Sequence, residues 1–222
     1  MNDFRNYVVL IFNGQKVTGR DFKNIIFDLG GVIINLDERK TVERFAQVSN
    51  LPLAKVQQHI LSFDRYKHFE KGLISAEEFR EALRSEWKVS ASDDVIDECM
   101  NAMLLDIPQE GISLLESLQN SSRLFLLSNT NHIHYTCFNK ILKETTGEDK
   151  LDIFFEKAYY SHMVKMRKPD REIFQLVLSE NNLNASETLF LDDNLANLEG
   201  AHSVGINTFH IKHPSQLFEI FK

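Results

Sequence analysis

Asn24-Ile25-Ile26-Phe27-Asp28-Leu29-Gly30-Gly31-Val32 carries a short uncharged, mostly apolar run straight into an aspartate and a pair of glycines. Such a run suits a strand buried on both faces, with a tight turn at its carboxyl end. Two later stretches repeat the arrangement. Leu124-Phe125-Leu126-Leu127 ends on Ser128-Asn129-Thr130-Asn131, and Thr188-Leu189-Phe190-Leu191 ends on Asp192-Asp193-Asn194. Weaker strands are expected at residues 157–160 and 206–211. Between them, residues 109–119 place Ile112, Leu115 and Leu118 on one helical face, and residues 171–180 do the same with Ile173, Phe174, Val177 and Leu178. Strand and helix in alternation predict an α/β fold, a doubly wound parallel sheet with helices on both faces.

Residues 38–106 break that alternation. They contain no strand-like run and read as an all-helical insert. One helix carries Val42, Phe45 and Ala46, another Val56, Ile60 and Phe63, and a third Val95, Ile96, Cys99 and Met103. Ser75-Ala76-Glu77-Glu78 has the pattern of a capping box, ahead of a helix bearing Phe79, Leu83 and Trp87. The expected organisation is an extension over residues 1–22, an α/β core over 23–37 and 107–222, and the insert over 38–106. Asn13-Gly14, between apolar runs, predicts a hairpin in the extension.

The bulk composition narrows the function. The 222 residues carry a formal net charge of -7, with 43% hydrophobic and 26% charged residues. A soluble globular protein fits. An acidic chain is a poor match for nucleic acid or an anionic membrane, which attract basic faces. Cys99 and Cys137 have no metal-ligand spacing and form no disulfide framework, so reduced thiols and a cytoplasmic location are expected. No stretch approaches the ~20 apolar residues of a membrane span. The run Tyr7-Val8-Val9-Leu10-Ile11-Phe12 lacks the flanks of a signal sequence. Monomer and homodimer both remain open.

The chemistry is expected where the strands end. In an open parallel sheet, ligands bind outside the carboxyl ends of the strands. Asp28, Ser128-Asn129 and Asp192-Asp193 would converge there. Gathered carboxylates require a cation or a raised pKa, and an all-oxygen cluster suits Mg²⁺. The ion in turn suggests a phosphate. Ser128 and the amide of Asn129 would offer it neutral hydrogen bonds, and Lys168, in Met166-Arg167-Lys168-Pro169, a positive charge at a helix start, with Pro169 in the first turn. Each residue alone is ordinary cap or turn chemistry. The ordered set is the signal.

That set resembles the haloacid dehalogenase superfamily, in its helical-cap phosphatase branch. It is similar to bacterial sugar-phosphate phosphatases of the glucose-1-phosphate type. The resemblance covers nearly everything after residue 23. It implies a Rossmann-like core and a mobile helical cap. It implies that Asp28 attacks phosphorus to form an aspartyl-phosphate, and that Asp28, the carbonyl of Gly30 and Asp193 hold Mg²⁺. Asp193 is preferred to Asp192 because the family's metal aspartate usually has a polar partner four residues on, which Asn197 would be. Asp192 and Asn197 then stand behind the ligands. Lys168 would neutralise the transferring phosphoryl group.

One departure stands out. The family's phosphatases usually carry a second aspartate two residues after the nucleophile, as general acid and base. Here that position is Gly30. A substrate with a good leaving group would tolerate the loss, or a cap residue would donate, with His59 and His68 as candidates. The turn His68-Phe69-Glu70-Lys71-Gly72 is expected to reach over the site, so His68, Glu70 and Lys71 are candidates for substrate selection. His132 and His134 are further rim candidates. The leading function is a Mg²⁺-dependent phosphatase of a small phosphorylated metabolite, with a sugar phosphate in view. The rivals are a non-catalytic binding protein that lost turnover at Gly30, and a 2-haloacid dehalogenase.

Overall fold

The computed structural model describes residues 10–12, 15–49 and 51–222. Near the start, β1 (Leu10–Phe12) pairs antiparallel with β2 (Gln15–Val17), Leu10 opposite Val17. The Asn13-Gly14 turn expected between them lies outside the described residues.

A five-stranded parallel sheet follows, built from β3 (Asn24–Phe27), β4 (Arg123–Ser128), β5 (Lys157–Tyr160), β6 (Thr188–Asp192) and β7 (Asn207–His210) in the order β5-β4-β3-β6-β7. The continuous apolar runs are explained by burial on two faces. Ile25, Phe27, Leu126 and Leu191 face one core layer, and Ile26, Phe125, Leu127 and Phe190 the other. On the first face lie α6 (Gln109–Leu118), α7 (His132–Thr146) and α11 (Leu217–Ile220); on the second lie α9 (Arg171–Glu180) and α10 (Leu195–His202). The short α8 (Ser161–Val164) follows β5. Phe27 aligns with Leu126 on one side and Leu191 on the other, so β6 runs one residue and β4 two residues beyond the end of β3.

Residues expected to form the insert fold as α1 (Glu38–Ser49), α2 (Leu53–Ser62), α3 (Asp64–Glu70), α4 (Ala76–Trp87) and α5 (Asp93–Asn101). They share a core of their own, in which Trp87 packs on Phe45 and Phe63 with ring centroids 5.3 and 5.1 Å away. The capping box forms: Glu78 N donates to Ser75 Oγ at 3.1 Å, and Ser75 N to Glu78 Oε2 at 2.7 Å. Two linkers join insert to sheet, side by side. Leu105 N donates to Asn35 O, Asn35 N to Asp106 O and Asp37 N to Met103 O, each at 2.9 Å.

Two local expectations change. Part of the N-terminal stretch belongs to the core: Phe22 is buried in it, and Arg20 Nε donates to Phe221 O at 2.7 Å. Pro169 does not open a helix; it precedes Asp170, the N-cap of α9. Asn129 is the reason. Its side chain accepts from Lys168 N at 2.8 Å and donates to Lys168 O at 2.9 Å, which fixes this backbone outside the helix. No helix among the described residues is long and apolar enough to cross a membrane.

Candidate active site

β3 delivers Asp28 at the centre of the sheet, and Asp28 N extends the ladder by donating to Leu191 O at 2.8 Å. Asp192 ends β6 next door, and Asp193 follows it at the exposed rim. Asp28, Asp192 and Asp193 each offer a carboxylate oxygen within 4.8 Å of the others. Ser128, at the end of β4, is buried beside them in the sheet.

Lys168 is fully buried, and its Nζ lies 2.8 Å from Asp28 Oδ1 and 2.7 Å from Asp192 Oδ2. Burial pulls the pKa of this ammonium down, but Asp192 and Asp28 outweigh it and hold the group above its ordinary value. For Asp28, burial pushes the pKa up, Lys168 pulls it down and Asp192 pushes it up again, to about 7. Asp193 is also raised, by partial burial and by Asp192. One buried cation therefore offsets one of three clustered carboxylates. A divalent cation held by oxygen ligands would balance the other two, and hard carboxylates with a nearby carbonyl match the preference of Mg²⁺.

The glycines of the turn have separate reasons to be glycine. Gly31 has φ of +68°, and a Cβ there would lie 2.4 Å from Asp193 Oδ2. At Gly30 a Cβ would lie 2.6 Å from Leu36 Cδ1, so an apolar side chain fills the space next to the missing proton donor.

Asn197 does not serve as the polar partner of Asp193. Its Nδ2 donates to both oxygens of Asp192 at 3.0 Å, and Asn194 N adds a bond to Asp192 Oδ1 at 2.7 Å. Those bonds and Lys168 engage both oxygens of Asp192, whereas the Asp193 carboxylate takes a bond from its own backbone amide.

Two of the insert residues singled out from sequence reach the loop that carries Lys168. Glu70, buried, pairs with Arg167 Nη2 at 3.0 Å, and Lys71 Nζ with Asp170 Oδ2 at 2.9 Å. These two ion pairs flank Lys168 in the sequence and clasp α3 to its loop. Gly72, at φ of +59°, allows the contact, because a Cβ there would lie 2.1 Å from His162 O. His68 is exposed, with Nδ1 3.0 Å from Asp64 O, and His59 rests near Trp87 at 5.6 Å between rings. His132 is exposed, as a rim residue would be. His134 is not a rim residue: it is buried with Nδ1 3.0 Å from Asn101 Oδ1, and burial lowers its pKa to about 4. The pinning role of the Asn129 side chain and the Arg167 clasp were not foreseen. The charge complementarity of Glu70-Lys71 with Arg167 and Asp170 was the available sequence signal.

Comparison with known proteins places these features in context. The family model for haloacid dehalogenase-like hydrolases matches residues 22–205. A D-ribitol-5-phosphate phosphatase of Bacteroides thetaiotaomicron is 30% identical, over 84% of this chain and 90% of that protein. A sesquiterpene phosphatase of Aspergillus oryzae is 28% identical, over 86% of this chain and 90% of that protein. A haloacid dehalogenase-family enzyme of B. thetaiotaomicron, solved with magnesium and inorganic phosphate, superposes with a TM-score of 0.76. It is 35% identical, covering 85% of this chain and 93% of that one.

Proposed function

This chain belongs to the haloacid dehalogenase-like hydrolase family, and from that premise we propose that it is a Mg²⁺-dependent phosphatase of a small phosphorylated metabolite, working through an aspartyl-phosphate on Asp28. The observation that carries the reading is the cluster of Asp28, Asp192 and Asp193 with only Lys168 to offset it. Phosphatase relatives of similar length, and a related enzyme solved with magnesium and phosphate, support it.

In this reading Asp28, Asp193 and the Gly30 carbonyl would hold Mg²⁺, which would supply positive charge at the phosphoryl site. Asp192 positions Lys168, and Asn197 positions Asp192. Ser128 and the backbone amide of Asn129 hold phosphoryl oxygens in place. Lys168 keeps Asp28 ionised and balances charge on the transferring group. The Asp28 carboxylate attacks phosphorus, and the bond to the leaving oxygen breaks. Water then attacks phosphorus and frees Asp28. Position 30 supplies no proton, so the leaving group departs as an anion or takes its proton from solvent. Glu70 and Lys71 act on the lysine loop through Arg167 and Asp170 in this account, rather than on the substrate.

The core comprises residues 23–37 and 107–222 and the cap residues 38–106, the stretch before them being an extension partly docked on the core. Free Cys99 and Cys137 fit a cytoplasmic enzyme. The relatives act on a polyol phosphate and on a terpenoid, so kinship alone leaves the organic group open. The test is phosphate release from a panel of monoesters. It should require Mg²⁺ and stop on chelation. Halide release from 2-haloacids without phosphatase activity would instead favour the dehalogenase.

A further inference from the structure

A cavity of about 670 Å³ lies within the helical cap. Its wall includes Phe45, Phe63, Phe79, Leu83, Trp87 and Met100. All six are buried, and the volume falls in the range of pockets that enclose small organic ligands. A well-packed helical bundle leaves few voids larger than a water molecule, so this space is out of keeping with a purely structural core.

The core-side end of the cavity is made by residues tied to the catalytic turn. Glu38 lines it, ten positions after Asp28 and at the first residue of α1. Met103 lines it from the second linker, where its carbonyl accepts from Asp37 N at 2.9 Å. His134 lines it from α7, the helix that begins just after Ser128-Asn129. Electrostatics agree with this placement. Glu38 acts on Asp193 and on the cavity residue Tyr66, and Tyr66 also feels Glu70 and Arg167. The buried His134 is neutral near pH 7 and adds no charge of its own.

We propose that this cavity receives the organic group of the substrate, and that the enzyme acts on phosphate monoesters of apolar aromatic alcohols. The inference rests on the phosphatase reading above. Two independent features point the same way. Most of the exposed wall is aromatic and aliphatic and rewards apolar area, beside a polar lining of Glu38, Arg39, Thr41, Glu43 and Gln57. Gly30, crowded by Leu36, provides no proton for a basic leaving oxygen, and an aryl oxide leaves without one.

The test uses the full chain with Mg²⁺ and a series of phenyl phosphates carrying para-methyl, ethyl, propyl or butyl groups, with D-ribitol 5-phosphate alongside. Leaving-group acidity stays nearly constant across the aryl series while apolar area grows. The expected result is kcat/KM rising by up to roughly fourfold per added CH₂, with D-ribitol 5-phosphate the poorest of the set. The matching para-alkylphenols should inhibit competitively, with Ki falling by a similar factor per CH₂, which needs no variant. Leu83→Trp, which fills the cavity, should flatten both trends. Phosphate release from every ester with no dependence on chain length would overturn the cavity assignment and leave the phosphatase standing. Release from none of them with Mg²⁺ present would overturn both.

Discussion

The side chain of Leu36 occupies the space that a side chain at residue 30 would need, since a Cβ on Gly30 would lie 2.6 Å from Leu36 Cδ1. That atom is the terminal methyl of a partly buried side chain, so a residue at position 30 would have to push it aside. Gly30→Asp alone should fold and raise turnover only slightly, with Leu36 still crowding the carboxyl. Combined with Leu36→Ala, the carboxyl gains room, and kcat on alkyl phosphates should rise by up to about 10², with a much smaller gain on aryl phosphates. Steady-state rates on the two ester classes decide this.

Lys168 is shared between two buried carboxylates. Lys168→Met should cost about 3–5 kcal/mol of stability above neutral pH, because uncompensated charge stays buried. It should also drive the Asp28 pKa above its present value of about 7, so that residual kcat/KM climbs at higher pH than in the wild type. Denaturant unfolding and a pH–rate profile read the two effects.

Asp28 makes the metal-free protein pH-sensitive. Its folded pKa is raised to about 7 from 3.8. The folded state thus binds more protons than the unfolded state between those values. The stabilising contribution is complete below the lower value and is lost as pH rises through the upper one. Asp28→Asn removes that titration. In chelator, the variant should gain stability relative to wild type as pH rises from about 4 to about 7, by at most about 4 kcal/mol. Added Mg²⁺ should stabilise the wild type far more than the variant.

Glu70 and Arg167 join the cap to the lysine loop at 3.0 Å. Arg167→Met leaves the buried Glu70 unpaired and should cost about 3 kcal/mol. The double variant with Glu70→Gln should recover much of that loss. A double-mutant cycle on unfolding free energies measures the coupling.

The candidate site was legible because it follows sequence order. Asp28, Ser128 and Asp192 each terminate an apolar run, and parallel register brings such ends to one edge of the sheet without further information. The helices of the insert were legible from spacing and from one capping box. What stayed hidden depends on side chains meeting across the fold. Asn197 four positions after Asp193 suggested a partnership, but its amide turns to Asp192. Asn129 read as a phosphate donor through its amide, and the sequence did not announce that its side chain also fixes the backbone of Lys168. Glu70 and Lys71 read as substrate contacts because no periodic pattern announces Arg167 and Asp170 as their partners. The cavity in the cap was invisible for the same reason: the spacing marks Phe45, Leu83 and Trp87 as core formers and does not say that they also line a pocket.

The most direct test of the central claim is to trap the covalent enzyme. A rapid acid quench during turnover with Mg²⁺ and an aryl phosphate, followed by borohydride reduction and peptide mass analysis, converts an aspartyl-phosphate to homoserine. The account predicts homoserine at residue 28, and none at residues 192 or 193 or without substrate. Turnover with residue 28 unmodified, or modification at another aspartate, would contradict it.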